Sequence, residues 1–173
     1  MKIIAFAGSP SKNSSNKKLA TYVAHLFKNA ELEVLDLNDY EMPLFTVDIE
    51  KIIGHHPLAQ VLLDKIASAD FIVLSLAENN SNYSAAFKNV FDWCSMINVK
   101  VFQQKPMLLM AASDGKRGGA NVLEIAQKAL PRYGADIKAT FSFPTFYENF
   151  DIENGRISNP ELDAAIKKIV SEL

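Results

Sequence analysis

The chain has 173 residues, 49% apolar and 22% charged, which suits one globular domain with a single sizeable core and excludes a disordered, collagen-like or coiled-coil chain. Eighteen basic and twenty acidic side chains leave a formal charge of −2, which offers no long-range attraction to nucleic acid or anionic lipid and is small for a strongly acidic electron carrier. The single cysteine, Cys94, excludes an intrachain disulfide and any CxxC metal or redox pair.

Residues 3–7, Ile-Ile-Ala-Phe-Ala, form an apolar run stopped by Gly8-Ser9-Pro10, as expected of a strand covered on both faces. The run is shorter than the ~7–15 apolar residues of a signal peptide, and no stretch reaches the ~18–20 of a membrane helix, so the sequence reads as cytoplasmic. Leu19, Tyr22, Val23, Leu26 and Phe27 then fall on one helical stripe. The unit recurs, with a strand over residues 32–37, a helical stripe at Leu58, Val61, Leu62 and Ile66, and a buried strand over residues 71–76. Phe87, Val90, Phe91 and Cys94 continue at helical spacing, which makes Cys94 a packed core thiol. A fourth strand follows over residues 107–112. Val122, Ile125, Ala126, Ala129, Leu130 and Tyr133 form the next stripe, closed by Gly134 as a C-cap. Residues 137–143 give the fifth strand, and a last helix carries Leu162, Ala165, Ile166, Ile169, Val170 and Leu173 behind an Asn159 N-cap and Pro160. Segments 38–57 and 144–158 do not fit the alternation and read as long loops, at rims or partner contacts.

Five strands alternating with five helices predict an α/β, flavodoxin-like three-layer sandwich. Its five-stranded parallel sheet has the order 2-1-3-4-5, in one domain over residues 1–173. In such a sheet the ligand crevice lies beyond the carboxyl ends of the strands, where the order reverses. The loops after strands one, three and four therefore matter most.

The first loop, residues 8–16, reads Gly-Ser-Pro-Ser-Lys-Asn-Ser-Ser-Asn and enters a helix. Its hydroxyls and amides, the free N–H groups of the first turn and the positive end of the helix dipole make a phosphate cradle. Charge-assisted hydrogen bonds at roughly 1.5–3 kcal/mol each outweigh a dipole contribution of a few tenths to ~2 kcal/mol. Taken alone, the loop reads equally as a helix cap at Ser14 or Ser15 with a solvated turn. The second loop, residues 77–84, supplies amides and hydroxyls; the third, residues 113–119, has three glycines that would let backbone approach a flat ligand. Each is also an ordinary turn by composition.

Competing phosphate motifs fail where they should appear. There is neither GxxxxGK[ST] nor GxGxxG after the first strand, which excludes a P-loop and an ordinary dinucleotide site. The third strand ends Leu74-Ser75-Leu76-Ala77-Glu78 without the acidic constellation of a phosphoryl acceptor. His25, His55 and His56 lack metal-ligand spacing and read as helix-surface or loop residues, and no Ser-His-Asp or Cys-His pattern is present.

At these three loops the sequence resembles the NADPH-dependent FMN reductase family, which includes azobenzene, chromate and quinone reductases. The family's first loop reads approximately GSxRxxSxN followed by LA, and Gly8-Ser9, Ser14, Asn16 and Leu19-Ala20 fall in register. Its third-strand loop reads approximately TPEYNxSxPxxLKNxIDW, matched by Glu78, Asn80, Phe87-Lys88-Asn89 and Asp92-Trp93. Lys105-Pro106 and Gly115, Gly118 and Gly119 also match.

The resemblance implies that Ser9, Ser14 and Asn16 bind the FMN phosphate, with Ser11 where the family often carries an arginine. Glu78, Asn79, Asn80 and Asn82 would border the flavin, partly through backbone groups, and Ser113 and Gly115 would lie near its other edge. Ala77 stands in place of a proline and Asn79 in place of a tyrosine. One lost charge-assisted contact weakens FMN by about 10–150-fold. Lys12, Lys17 or Lys116 would compensate or else stay solvated, and Lys116 and Arg117 would meet the 2′-phosphate of NADPH or remain a solvated loop.

The activity implied is hydride transfer from NADPH or NADH through FMN to a small-molecule acceptor such as free flavin, a quinone or an azo compound. No protein nucleophile and no metal are needed. The alternatives are an FMN-binding electron-transfer protein and a family member that acts through a protein partner. The resemblance also implies a homodimer or homotetramer, with Phe87, Phe91 and Trp93 on one helix as a candidate interface; periodicity assigns Phe87 and Phe91 to the core.

Overall fold

The apolar amino-terminal run becomes strand β1 (Lys2–Gly8), buried from Ile3 onward. The computed structural model describes residues 1–173. Helix α1 (Ser15–Ala24) follows, then β2 (Glu31–Leu35), α2 (Val47–Ile53), α3 (Pro57–Ser68) and β3 (Phe71–Asn79). A two-residue strand β4 (Asn82–Tyr83) leads into α4 (Ala85–Ile97), β5 (Lys105–Ala112), α5 (Ala120–Ala129) and β6 (Ala135–Phe143). The chain closes with α6 (Phe146–Asn149), a small hairpin of β7 (Phe150–Asp151) and β8 (Arg156–Ile157), and α7 (Pro160–Ser171).

Five parallel strands run in the order β2-β1-β3-β5-β6. The order is 2-1-3-5-6 rather than 2-1-3-4-5 because β4, folded back antiparallel on β3, adds one number. Successive side chains point to opposite faces, so β1 divides its residues between two cores. Ile4 and Phe6 join Ile72, Leu74 and Leu109 beneath α3, α4 and α5. Ile3 and Ala5 join Val73, Leu108 and Met110 beneath α1 and α7. This is the expected three-layer sandwich, with helices on both faces of a parallel sheet.

Caps set most helix starts. Ser84 Oγ accepts from Phe87 N–H at 3.1 Å and donates to Gly8 O at 2.9 Å, which pins α4 to the end of β1. Asn159 Oδ1 accepts from Glu161 and Leu162 N–H ahead of Pro160, as its sequence predicts.

The two segments expected to be plain loops are partly ordered. Residues 38–57 contain α2 and most of a 3₁₀ turn (Leu37–Tyr40), and residues 144–158 contain α6 and the β7–β8 hairpin. Helix α2 buries no residue and α6 has one turn, so neither writes an apolar stripe into the sequence. In α3, Val61 faces solvent while Ala59, Leu62, Leu63 and Ile66 form the buried stripe.

Helix α4 corrects the interface reading. Phe87 and Trp93 are buried, and Phe91 packs on Tyr133 and Phe102. Trp93 Nε1 donates to Pro43 O at 2.8 Å, while Asn89 donates to Met42 O and Pro43 O and accepts from Phe45 N–H. The Asn89 and Trp93 of the family-like motif thus clamp the 42–45 loop from inside the monomer. No helix is long and apolar enough to cross a membrane.

Candidate functional site

The loop after β1 turns at Ser9-Pro10 and enters α1 through Ser14. Its Oγ accepts from Lys17 N–H at 3.1 Å, so the cap predicted for this loop forms and the hydroxyl proton stays free to donate. Ser9 Oγ accepts from Ser11 N–H at 3.3 Å. Ser9, Ser14 and Asn16 are only 8%, 5% and 5% exposed. The N–H groups of Asn13, Ser15 and Asn16 find no acceptor within the chain, and these residues border a cleft of about 310 Å³. A helix start with unanswered donors is a site for an anion.

Asn16 has a second role. Its Oδ1 accepts from Ser75 Oγ at 2.7 Å and from Ala112 N–H at 2.8 Å, and its Nδ2 donates to Ala112 O at 3.1 Å. The amide ties the start of α1 to the ends of β3 and β5. Asn16 therefore meets the cleft with its backbone N–H, and its side chain holds the floor together.

The second loop is divided in the same way. Glu78 and Asn79 line the cleft, but the Glu78 carboxylate turns to α5, accepting from Val122 N–H at 3.0 Å and from Asn121 Nδ2 at 3.3 Å. Gly119 gives α5 no side-chain cap, so a carboxylate from the neighbouring strand answers its first turn and its dipole. Asn80 and Ser81, at φ 50° and 63°, form a two-residue turn between Asn79 and Asn82, the left-handed pair of a tight hairpin. Asn80 and Asn82 are exposed at that hairpin and do not line the cleft.

In the third loop Ser113 and Asp114 line the cleft and Gly115 lies just outside it. Gly118 and Gly119 are not among the residues that line the cleft. With φ 56° and 75°, their missing Cβ atoms would strike Ser142, the Phe143–Pro144 backbone and Ala111, so they serve close packing of this chain on itself. The loop is laced to the segment after β6: Ser113 N–H donates to Phe143 O, Phe146 N–H to Ser113 O and Thr145 N–H to Gly115 O, at 3.1–3.2 Å. That lacing brings Tyr147 to the cleft, a residue sequence reasoning missed because it sits in a segment without periodicity.

No lysine or arginine lines the cleft. Lys17 pairs with Asp36 at 2.5 Å, and Arg117 donates to Asn121 Oδ1 at 2.6 Å. Lys12 and Lys116 are exposed outside it. The donor set, hydroxyls and backbone N–H groups around one helix start, fits a phosphate held by neutral groups. The other titratable candidates serve structure. Burial pushes the Cys94 thiol up to about 12, with Sγ 3.7 Å from Ala59 O in the core. His56 caps α3 against Trp93, and His25 Nδ1 lies 2.7 Å from Thr21 O.

Three loops meeting where a doubly wound sheet reverses, with open donors at α1, mark a flavodoxin-like protein with a polar cleft at the switch point. Residues 1–147 match the family model described as NADPH-dependent FMN reductase, and the chain belongs to that family, an oxidoreductase family that uses FMN and NAD(P)H. It is 30% identical over 135 residues to an NADPH azoreductase of Bacillus sp. (strain OY1-2), covering 75% of this chain and 68% of that one. It is 28% identical over 121 residues to a quinone reductase of Escherichia coli (strain K12), covering 69% of this chain and 64% of that relative. Among solved structures, the flavoenzyme NAD(P)H:acceptor oxidoreductase FerB of Paracoccus denitrificans matches with a TM-score of 0.77 at 20% identity, covering 99% of this chain and 93% of FerB.

Proposed function

We propose that the cleft holds FMN and that the protein is an NAD(P)H-dependent oxidoreductase whose acceptor is a small molecule such as free flavin, a quinone or an azo compound. The observation that carries this reading is the set of unanswered N–H donors at Asn13, Ser15 and Asn16 beside the buried hydroxyls of Ser9 and Ser14. Bound FMN would supply the redox chemistry, accepting hydride and passing electrons on, so no side chain has to form a covalent bond to substrate.

The chain's own residues bind and orient. Ser9, Ser11, Ser14 and the Asn16 N–H would hold the phosphate end, while Glu78, Asn79 and Ser113 would border the rest of the ligand. The Asn16 amide and the Glu78 carboxylate keep the strand ends and α5 fixed beneath it, the preorganisation a positioned reaction requires. Asn80, Asn82 and Gly115 would contribute from the rim. A second cleft of about 270 Å³, across Pro10 and lined by Tyr40, Met42 and Asn89, offers room for an acceptor beside the first.

Assembly as a homodimer or homotetramer belongs to the same reading. Leu44, Val47, Ile52 and Ile53 are exposed along α2 and the residues before it, an apolar stretch that a second copy would cover. A cytoplasmic location accords with one buried, unpaired thiol. The test is to load the protein with FMN, remove free flavin and mix anaerobically with NADPH or NADH. Rapid bleaching of the bound flavin is expected; bound flavin that stays oxidised would leave only an electron-transfer or partner-binding role.

A further inference from the structure

No lysine or arginine is among the residues lining the cleft, while Asp114 is one of them; Lys12, Lys17 and Lys18 border an adjoining groove that shares Ser14. Neutral donors have to be numerous and well aimed. One further donor borders the same space. Tyr147 lines the cleft with Ser9, Ser11, Asn13 and Ser14, is 60% exposed, and its hydroxyl has no partner within the chain. A phenol, with its lower pKa, is a better donor to an anion than a serine hydroxyl.

The scaffold holds this tyrosine in place. The preceding Thr145 sits at φ 43° and ψ 57°, a left-handed conformation that a β-branched residue rarely adopts. Asn149 Nδ2 fixes it, donating to Thr145 Oγ1 at 2.6 Å and to Pro144 O at 3.0 Å, and Asn159 Nδ2 in turn donates to Asn149 Oδ1. Next to it, Phe146 is fully buried among Phe143 and Phe150 on the α1 side of the sheet. With its neighbour anchored there, Tyr147 lines the cleft that the first turn of α1 shares with Glu78 and Asn79.

We propose that Tyr147 is a ligand of the cofactor phosphate, its hydroxyl donating to the anion and completing the cradle of Ser9 and Ser14. The inference depends on the FMN reading above. The test measures the affinities of FMN and of riboflavin, which lacks the phosphate, for wild-type protein and for Tyr147→Phe, by flavin fluorescence or calorimetry. Tyr147→Phe should weaken FMN about tenfold or more, the value of a hydrogen bond to a charged group. Riboflavin affinity and the melting temperature of the ligand-free protein should not change. Unchanged FMN affinity, or equal losses for FMN and riboflavin, overturns the proposal while leaving the FMN reading standing. Wild-type protein that binds neither flavin overturns both.

Discussion

Two polar loops rich in the same residue types behave in opposite ways. Residues 9–16 and 79–84 are both rich in serine and asparagine, yet Ser9, Ser14 and Asn16 are sunk into the molecule while Asn79, Asn80, Ser81 and Asn82 stand in water. The difference lies in the element that each loop enters. The first runs into α1, which lies across three strands, so Ser9, Ser14 and Asn16 are buried and need partners, while Ser11, Lys12 and Asn13 between them stay exposed. The second folds into a two-residue hairpin in which Asn82 Oδ1 accepts from Tyr83 N–H and Ser81 Oγ accepts from Asn121 Nδ2. The first loop thus sets open backbone donors at the start of α1 beside buried hydroxyls, and the second leaves its side chains in water.

The largest effect expected from this contrast is at Asn16. Asn16→Ala would strand the Ser75 hydroxyl and both backbone groups of Ala112, at about 1–3 kcal/mol for each unpaired buried group. Thermal or urea unfolding should show a loss of about 3 kcal/mol, and a loss below ~1 kcal/mol would mean that the amide does not tie the strand ends together. Ser14→Ala should remove about 1 kcal/mol by uncapping α1 and, in addition, weaken FMN at least tenfold; a stability loss with unchanged FMN affinity would reduce Ser14 to a cap.

A smaller effect should be seen in acid. Lys17, on α1, holds the Asp36 carboxyl below its usual range, helped by Asn38 N–H. A depressed pKa contributes stability above the ordinary carboxylate value, and that stability is lost as pH falls through the folded value. Melting temperatures compared at about pH 6 and about pH 3 should therefore fall less for Asp36→Asn than for wild type, and an identical fall would remove the pair from the account. Smallest of all, Asn82→Ala should change stability by less than about 0.5 kcal/mol; a loss comparable to Asn16→Ala would erase the contrast between the loops.

The sheet was legible because its strands are apolar runs that alternate with helical stripes, and Ser14, Ser84 and Asn159 obey ordinary rules of capping. The elements that escaped did so for physical reasons. Helix α2 fully buries no side chain and packs only Ile49 against the core, and α6 and β4 are too short to carry a period. Whether an asparagine faces a ligand or its own strand ends is a tertiary fact, so Asn16 and Glu78 read as ligands although their side chains brace the site. Gly118 and Gly119 read as room for a ligand and prove to be room for β5 and β6. Tyr147 reached the cleft only through backbone bonds between two loops some thirty residues apart.

The most direct measurement is the affinity of the wild-type protein for FMN set against riboflavin under identical conditions. The account predicts clear binding of FMN and an affinity for riboflavin at least tenfold weaker, since several donors at the start of α1 would engage only the phosphate. Equal affinity for the two, or binding of neither, would contradict it.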